Sequence, residues 1–247
     1  MVKLSVNVNK VATVRNSRGG SVPSVLEAVE VCVRAGAPGI TVHPRADARH
    51  ITAQDVRDVS AWLARWPGGA EFNIEGDPRP DLIDLVLEVR PAQCTLVPVQ
   101  PGEITSQAGW GRGVPDDLGA TVERLKTAGV RVSLFVDPDE PSVRLAAGLA
   151  ADRVELYTEP YARAVERGDG EASFRVYSRA AELAHALGMG VNAGHDLDLQ
   201  NLVLFRQLPH LDEVSIGHAL VSHALFVGLD RSVREYLQIL ERGSQVI

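Results

Sequence analysis

A strand followed by a helix, repeated eight times, constrains this chain more than any other feature. Apolar runs at 4–8, 39–42, 71–75, 93–97, 130–136, 152–156, 190–193 and 213–216 read as strands. Apolar residues at helical spacing follow them at 24–34, 52–66, 79–89, 117–128, 140–150, 171–187, 197–206 and 220–241. The first of these helices shows the pattern clearly, with Val25, Ala28, Val29, Cys32 and Val33 on one face. Ala35-Gly36, Ala128-Gly129 and Leu187-Gly188 precede strands and mark a recurring αβ turn. Residues 157–169 read as irregular, and 98–115 as a long loop with no apolar period. Eight βα units without a break in composition predict an α/β fold, a single (β/α)8 TIM barrel over residues 1–247. A doubly wound Rossmann-like sheet is the alternative, weakened because no Gly-x-Gly-x-x-Gly follows a strand.

A barrel of this kind builds its site from strand C-termini and the loops after them. Three of the seven histidines close predicted strands: His43 in Gly39-Ile-Thr-Val-His43, His195 after Val191-Asn-Ala-Gly194, and His218 after Val214-Ser-Ile-Gly217. The same rule collects Asn7, Asn9 and Lys10 after the first strand, Arg45 and His50 after the second, and Glu75 after the third. Asp137, Glu155 and Gly217 complete the group. Imidazoles and a partly desolvated carboxylate exchange protons near neutral pH, which suits acid–base chemistry on carbonyl compounds. Metal ligation is the competing use of His and Glu. It ranks lower, because no two of these groups share a helix at ligand spacing.

Anion handling has its own candidates. Gly194 and Gly217 let backbone N–H groups approach a phosphate, and Arg18 and Arg45 offer forked charge. Lys10 serves as a point charge or as a Schiff-base nucleophile. The 98–115 loop carries Gly102, Gly109, Gly111, Gly113 and one aromatic, Trp110, and is expected to be a lid with glycine hinges.

Bulk properties narrow the partners. A net charge of −7 argues against nucleic acid, although a local basic site remains compatible with an anionic substrate. Cys32 and Cys94 sit in apolar runs and are expected to be buried free thiols. No stretch approaches the ~18 apolar residues of a membrane span, and the N-terminus lacks a signal-peptide core. A soluble cytoplasmic protein with no membrane partner is expected.

Several motifs, taken in order, carry a resemblance. They are Asn7-Val-Asn-Lys-Val-Ala-Thr-Val-Arg-Asn-Ser-Arg-Gly19, Gly39-Ile-Thr-Val-His-Pro-Arg45, Arg49-His-Ile-Thr52, Asn73-Ile-Glu75, Leu96-Val-Pro98, Val132-Ser-Leu-Phe135, Val191-Asn-Ala-Gly-His195 and Ile216-Gly-His-Ala219. Over nearly its whole length the chain resembles the pyridoxine 5′-phosphate synthase family. The resemblance implies a (β/α)8 barrel with extra helices, usually a homo-oligomer and often an octamer. It implies condensation of 3-amino-2-oxopropyl phosphate with 1-deoxy-D-xylulose 5-phosphate in vitamin B6 biosynthesis. The products are pyridoxine 5′-phosphate, phosphate and water, with no metal or organic cofactor. By motif, His43, Glu75 and His195 match the acid–base residues. Asn7, Asn9, Lys10, Arg18, Arg45, His50, Thr105, Asp196, Gly217 and His218 match the substrate contacts. Two departures stand out. The family's Asn-x-Asp-His reads Asn7-Val8-Asn9-Lys10 here, and Asp196 stands where the family has glycine. Other readings are a phosphate-sugar aldolase or isomerase on the same barrel, and a ligand-binding barrel without turnover. The aldolase would need Lys10, the only one of three lysines near the mouth.

Overall fold

In a computed structural model of the chain, residues 1–98, 108–111 and 114–241 are described. The strands are β1 (Lys3–Asn7), β2 (Gly39–Val42), β3 (Glu71–Gly76), β4 (Gln93–Leu96), β5 (Arg131–Val136), β6 (Arg153–Tyr157), β7 (Gly190–Gly194) and β8 (Leu211–Ile216). All pair in parallel with their sequence neighbours, and β8 closes onto β1, so the sheet is a complete barrel. Around it run α2 (Val25–Arg34), α3 (Ala53–Leu63), α4 (Pro80–Val89), α5 (Leu118–Thr127), α6 (Glu140–Gly148), α8 (Gly170–Ala186), α9 (Leu202–Phe205) and α11 (Leu229–Glu241). Three extra helices, α1 (Asn9–Asn16), α7 (Glu159–Glu166) and α10 (His218–Val227), follow β1, β6 and β8 directly.

The strands alternate because the two faces of the sheet meet different surroundings. Leu4, Val6, Ile40, Val42, Ile74, Leu96, Val132, Leu134, Val154, Val191 and Val214 are buried in the main apolar core with the helices. The opposite phase is polar. Ser5, Thr41, Asn73, Gln93, Thr95, Ser133, Glu155, Asn192 and Glu213 are all buried. Ser133 Oγ has no hydrogen-bond partner among the described residues, but others pair across the interior: Ser5 Oγ lies 2.7 Å from Thr41 Oγ1, and Thr95 Oγ1 donates to Asn73 Oδ1 at 3.1 Å. Asn192 Nδ2 donates to Gln93 Oε1 at 3.3 Å. Barrel interiors of this class are usually filled by branched apolar side chains. Here a hydrogen-bonded polar column takes their place, and buried polar groups are, as a rule, paired in this way.

Helix ends follow local chemistry. Ser24 accepts from Glu27 N, and Thr52 with Asp55 forms a capping box. Four sequence expectations need correction. Asn9 and Lys10, expected after the first strand with no helix of their own, open one, and Val11 and Ala12 anchor it in the core. Residues expected to be irregular contain α7, where Pro160 occupies the first turn and Tyr161 packs inside. The final helix is two helices, broken at Gly228 with φ +86°. The helix expected over 197–206 shrinks to the four residues of α9. Among the described residues, no helix is long and apolar enough to cross a membrane.

Candidate active site

The C-terminal ends of the strands enclose a cavity of about 440 Å³. Its lining contains Asn7, Asn9, Lys10, His43, Arg45, His50, Glu75, His195, Asp196, Gly217 and His218, all expected from the sequence. Thr13, Arg49 and Ser215 also line it and were not singled out. Arg18 is not brought there; it is exposed just beyond the end of α1. Thr105 lies outside the described residues, as does most of the expected lid. Two larger hollows, about 500 and 660 Å³, lie in grooves between outer helices. Their acidic and basic groups pair at the surface, as Arg57 does with Glu88, whereas the strand-end cavity is faced by buried titratable groups.

Glu75 is the centre of one wall. Ser215 Oγ donates to its Oε1 at 3.3 Å, and Asn7 Nδ2 donates to its Oε2 at 3.5 Å. His43 Nδ1 stands 3.9 Å from the same Oε2, too far for a hydrogen bond. Burial pushes the Glu75 carboxyl up to about 8, Ser215 opposes the shift, and the charge of Glu213 adds to it. His43 is driven well below its usual range, first by burial and then by His50, Arg45, His195 and Arg79. The contact at 3.9 Å would be an ion pair only if both groups were charged. Both shifts point the other way, and with a carboxyl 4% exposed the neutral pair is the better description. His43 Nε2 is buried with no hydrogen-bond partner among the described residues. A buried donor or acceptor on a cavity wall is one that a ligand can satisfy.

The start of α1 is locked to the ends of β1 and β2. Asn7 Oδ1 accepts from Asn9 N at 3.0 Å, and Asn9 Oδ1 accepts from His43 N at 2.9 Å. An amide oxygen accepts here as a carboxylate would, so Asn9 can stand where the family motif has Asp. His50 Nδ1 accepts from Ile51 N at 2.9 Å, and its ring lies edge-on to His43 at 6.1 Å. Burial, Arg45 and Lys10 lower the His50 imidazole to about 4.

His195 occupies the other wall. Its ring centroid is 5.1 Å from Phe135 and 5.7 Å from Tyr157, edge-on to the latter. Phe135 and Tyr157 form a small apolar cluster with Val97, separate from the main core. Burial lowers the His195 imidazole, Asp196 opposes the shift and Lys10 adds to it. His195 and Asp196 adopt φ of +78° and +53°, a left-handed conformation rare for residues with side chains. Such strain persists only where surrounding structure imposes it. Thr158 Oγ1 donates to Gly194 O at 2.6 Å and also contacts His195 O, while Asn201 Nδ2 donates to Asp196 O at 3.0 Å. The glycine that the family has in place of Asp196 suits this backbone directly.

Two sequence expectations fail near the mouth. Trp110 was expected to ride on a mobile lid, yet it is buried in the core. Its Nε1 donates to Leu96 O at 2.7 Å and its backbone N to Phe135 O at 2.8 Å. Gly109 was expected to be a hinge. Instead it permits close packing: an added Cβ would stand 2.3 Å from Val136 C and Asp137 N. Asp137 accepts from Gly109 N at 3.0 Å and so fastens this segment. Cys32 and Cys94 are free and buried, as expected. Among the described residues, no three His, Cys, Asp or Glu side chains form a group able to hold a metal ion.

Of the residues the sequence reading passed over, Ser215 had a signal. It shares the inward phase of β8, two residues before Gly217. Thr13 lies one helical turn after Asn9, which only a helix at 9–16 makes meaningful. Thr158 and Tyr157 had no local signal, because their importance lies in what they touch at and just after the end of β7.

The closed barrel and its mouth-centred pocket define a class, the (β/α)8 enzymes with a site at the strand C-termini. Within it, the chain belongs to the family described as pyridoxal phosphate biosynthesis protein PdxJ, whose model matches residues 4–242. Three relatives are each named pyridoxine 5′-phosphate synthase. The one from Bacteroides fragilis is 52% identical over 97% of this chain and 100% of its own. That from Christiangramia forsetii is 50% identical over 98% and 100%. That from Leptospira biflexa is 47% identical over 99% of each. Among solved structures, a thiamine phosphate pyrophosphorylase from Pyrococcus furiosus covers 99% of this chain and 98% of its own, with TM-score 0.63 and 13% identity. A phosphoribosyl anthranilate isomerase from Thermotoga maritima covers 98% of this chain and 100% of its own, with TM-score 0.62 and 14% identity. At such identities the likeness is one of fold.

Proposed function

We propose that the chain is a pyridoxine 5′-phosphate synthase. It condenses 3-amino-2-oxopropyl phosphate with 1-deoxy-D-xylulose 5-phosphate and releases pyridoxine 5′-phosphate, inorganic phosphate and water. The carrying observation is that His43, Glu75 and His195 face one cavity in a chain 52% identical to a named synthase along its length. The amine of one substrate and the ketone of the other form an imine together, so no enzyme lysine is required. Closure of the ring then needs protons removed from carbons beside carbonyls and protons given to departing oxygens. A carboxyl that keeps its proton up to about 8 is an acid at neutral pH, the part assigned to Glu75. Imidazoles held neutral are bases, the part assigned to His43 and His195.

Lys10, Arg45 and Arg49 around the rim suit the substrate phosphates. So does the N-terminus of α10, where Gly217 is the N-cap and no side chain caps the helix. Gly217 also allows close approach, since a Cβ there would meet Asn7 at 3.0 Å. The reading calls for no metal or organic cofactor. Assembly as a homo-oligomer, an octamer on the family resemblance, belongs to the same proposal. Leu225 and Phe226, 76% and 89% exposed at the end of α10, offer apolar surface for it. A cytoplasmic location without nucleic-acid or membrane partners is part of the same proposal.

The test is formation of pyridoxine 5′-phosphate from the two purified substrates, with a chelator arm and a borohydride arm. Product is expected in the presence of chelator, with no reduced adduct on Lys10. Trapping of substrate on Lys10 would turn the reading toward an aldolase.

A further inference from the structure

Arg15 and Asn16 end α1 outside the mouth, where they line the groove between α1, α2 and α3 and not the strand-end cavity. Both reach the segment between β2 and α3. Arg15 Nη1 and Nη2 donate to the two oxygens of Asp55 at 2.5 and 2.9 Å, and Nη2 also donates to His50 O at 3.2 Å. Arg15 Nε donates to Asn16 Oδ1 at 2.9 Å. That bond turns the Asn16 amide so that its Nδ2 donates to His50 O at 2.8 Å and to Arg49 O at 3.2 Å. Asp55 is itself fixed, accepting from Thr52 N and Thr52 Oγ1, both at 2.8 Å. The Arg15 and Asp55 side chains are each 13% exposed, so their pair is sheltered in a way that Arg57 with Glu88 is not.

The grip falls on one peptide unit. The carbonyl of His50 and the N–H of Ile51 belong to the same rigid plane. Arg15 and Asn16 hold its oxygen, and its N–H donates to His50 Nδ1 at 2.9 Å. A ring nitrogen that accepts carries no proton, so the neutral imidazole has its hydrogen on Nε2. Burial, Arg45 and Lys10 lower His50 to about 4, which keeps the ring neutral near pH 7. His50 lines the cavity, and Nε2–H is what it can offer a ligand there.

We propose that Arg15 and Asn16 are positioning residues for substrate binding: they fix the His50–Ile51 peptide, and through it they set His50 as a hydrogen-bond donor to a substrate oxygen. An imidazole locked in this way recognises an acceptor and takes no proton from the substrate, which separates His50 from the bases His43 and His195. The identity of the substrate rests on the synthase reading; the tautomer of His50 does not.

The whole chain, with nitrogen-15 in its histidines, is examined by NMR near neutral pH, and His50→Gln identifies the His50 signals. Wild type should show the Nε2–H tautomer with Nδ1 unprotonated. In Arg15→Met the ring should no longer hold that single tautomer. KM for one of the two substrates should rise about tenfold, the order of one hydrogen bond to a charged group, with kcat within about twofold. Arg15→Lys should not restore KM, because a point charge lacks the planar fork. In a His50→Gln background, Arg15→Met should change KM by under about twofold, since side chains acting through one another are not additive. A protonated Nδ1 in wild type, an unchanged tautomer or KM in folded Arg15→Met, recovery with Arg15→Lys, or full additivity with His50→Gln overturns the proposal. Should Arg15→Met not fold, Asn16→Ala removes two of the bonds that hold the segment, and absence of the same tautomer and KM changes overturns it equally. A wild type that makes no product, yet shows the Nε2–H tautomer and loses it in Arg15→Met, rejects the synthase reading and supports the grip on His50.

Discussion

The two walls of the pocket each present a histidine, and they hold it by different means. On the polar wall, His43 faces a carboxyl that burial pushes up to about 8, carries a buried nitrogen with no partner among the described residues, and has Arg45 and Arg79 among its neighbours. On the apolar wall, His195 leans on Phe135 and Tyr157, and its backbone is forced into a left-handed corner by Thr158. Burial is the first cause of neutrality for both. The second causes differ: cations push His43 further down, while Asp196 pulls His195 back up. Two similar bases with different secondary influences can act at different steps of one reaction, although His195 is itself one of the charges that lower His43.

The largest effect is expected on the polar wall. Glu75→Gln should lower turnover by ~10²–10⁴, the usual loss for one general acid or base. Product binding should stay within a few-fold. Wild-type turnover in this variant would remove Glu75 from the chemistry and leave the polar wall a binding surface.

The apolar wall should respond next. Thr158→Val removes the hydroxyl that donates to Gly194 O and contacts His195 O. Gly194 O still accepts from the backbone N of residue 158 at 3.1 Å, so a loss of about 0.5–1.5 kcal/mol in stability is expected from the missing hydroxyl bonds, measurable by chemical denaturation. Turnover should fall with it, while the titration of His43 followed by NMR stays in place. A change at His43 equal to that at His195 would mean that the two walls are mechanically one.

The pH dependence of stability sharpens the contrast. The folded state holds the Glu75 proton up to about 8, against 4.5 for an ordinary glutamate, so between these values it binds more protons than the unfolded chain. Stability from this group is therefore full at low pH and declines as pH rises through that window. His43 and His195 have the opposite sign: lowered in the fold, they cost stability as pH falls below their ordinary 6.5. Glu75→Gln should flatten the alkaline decline in thermal melts and leave the acid decline. An unaltered alkaline decline would assign it to Glu155 instead.

The smallest effect is expected at Asp196. Asp196→Asn removes the charge that supports the His195 imidazolium, and the His195 midpoint should move lower by under about 1 unit. Asp196→Gly should do the same electrostatically and also relieve the φ of +53°, so it should melt no lower than Asp196→Asn. A His195 midpoint equal in all three proteins would discard Asp196 as its tuner.

How much of this could be read in advance differs between elements. The eight βα units, Thr52 as a helix cap and the strand-end histidines were legible, because periodicity and capping are local. Eleven expected lining residues meet at the pocket because the topology rule carries every strand end to one mouth. Trp110 and Gly109 misled because glycine-rich sequence reads as freedom; Gly109 is small for close packing against Val136. α7 and α1 were missed because their polar starts face the mouth or carry proline, which masks the helical period.

By itself the sequence determined the barrel, its strand order and the titratable groups at the strand ends, since each follows from short-range pattern and from the handedness of βα connections. Only the tertiary structure decided the protonation of those groups. Burial raises the Glu75 carboxyl, and the charge of Glu213, which stands 138 positions away in the chain, adds to the shift. His195 is bent into its corner by a hydroxyl 37 positions before it. Desolvation and charge coupling depend on distance through space, and that distance exists only once the barrel has closed.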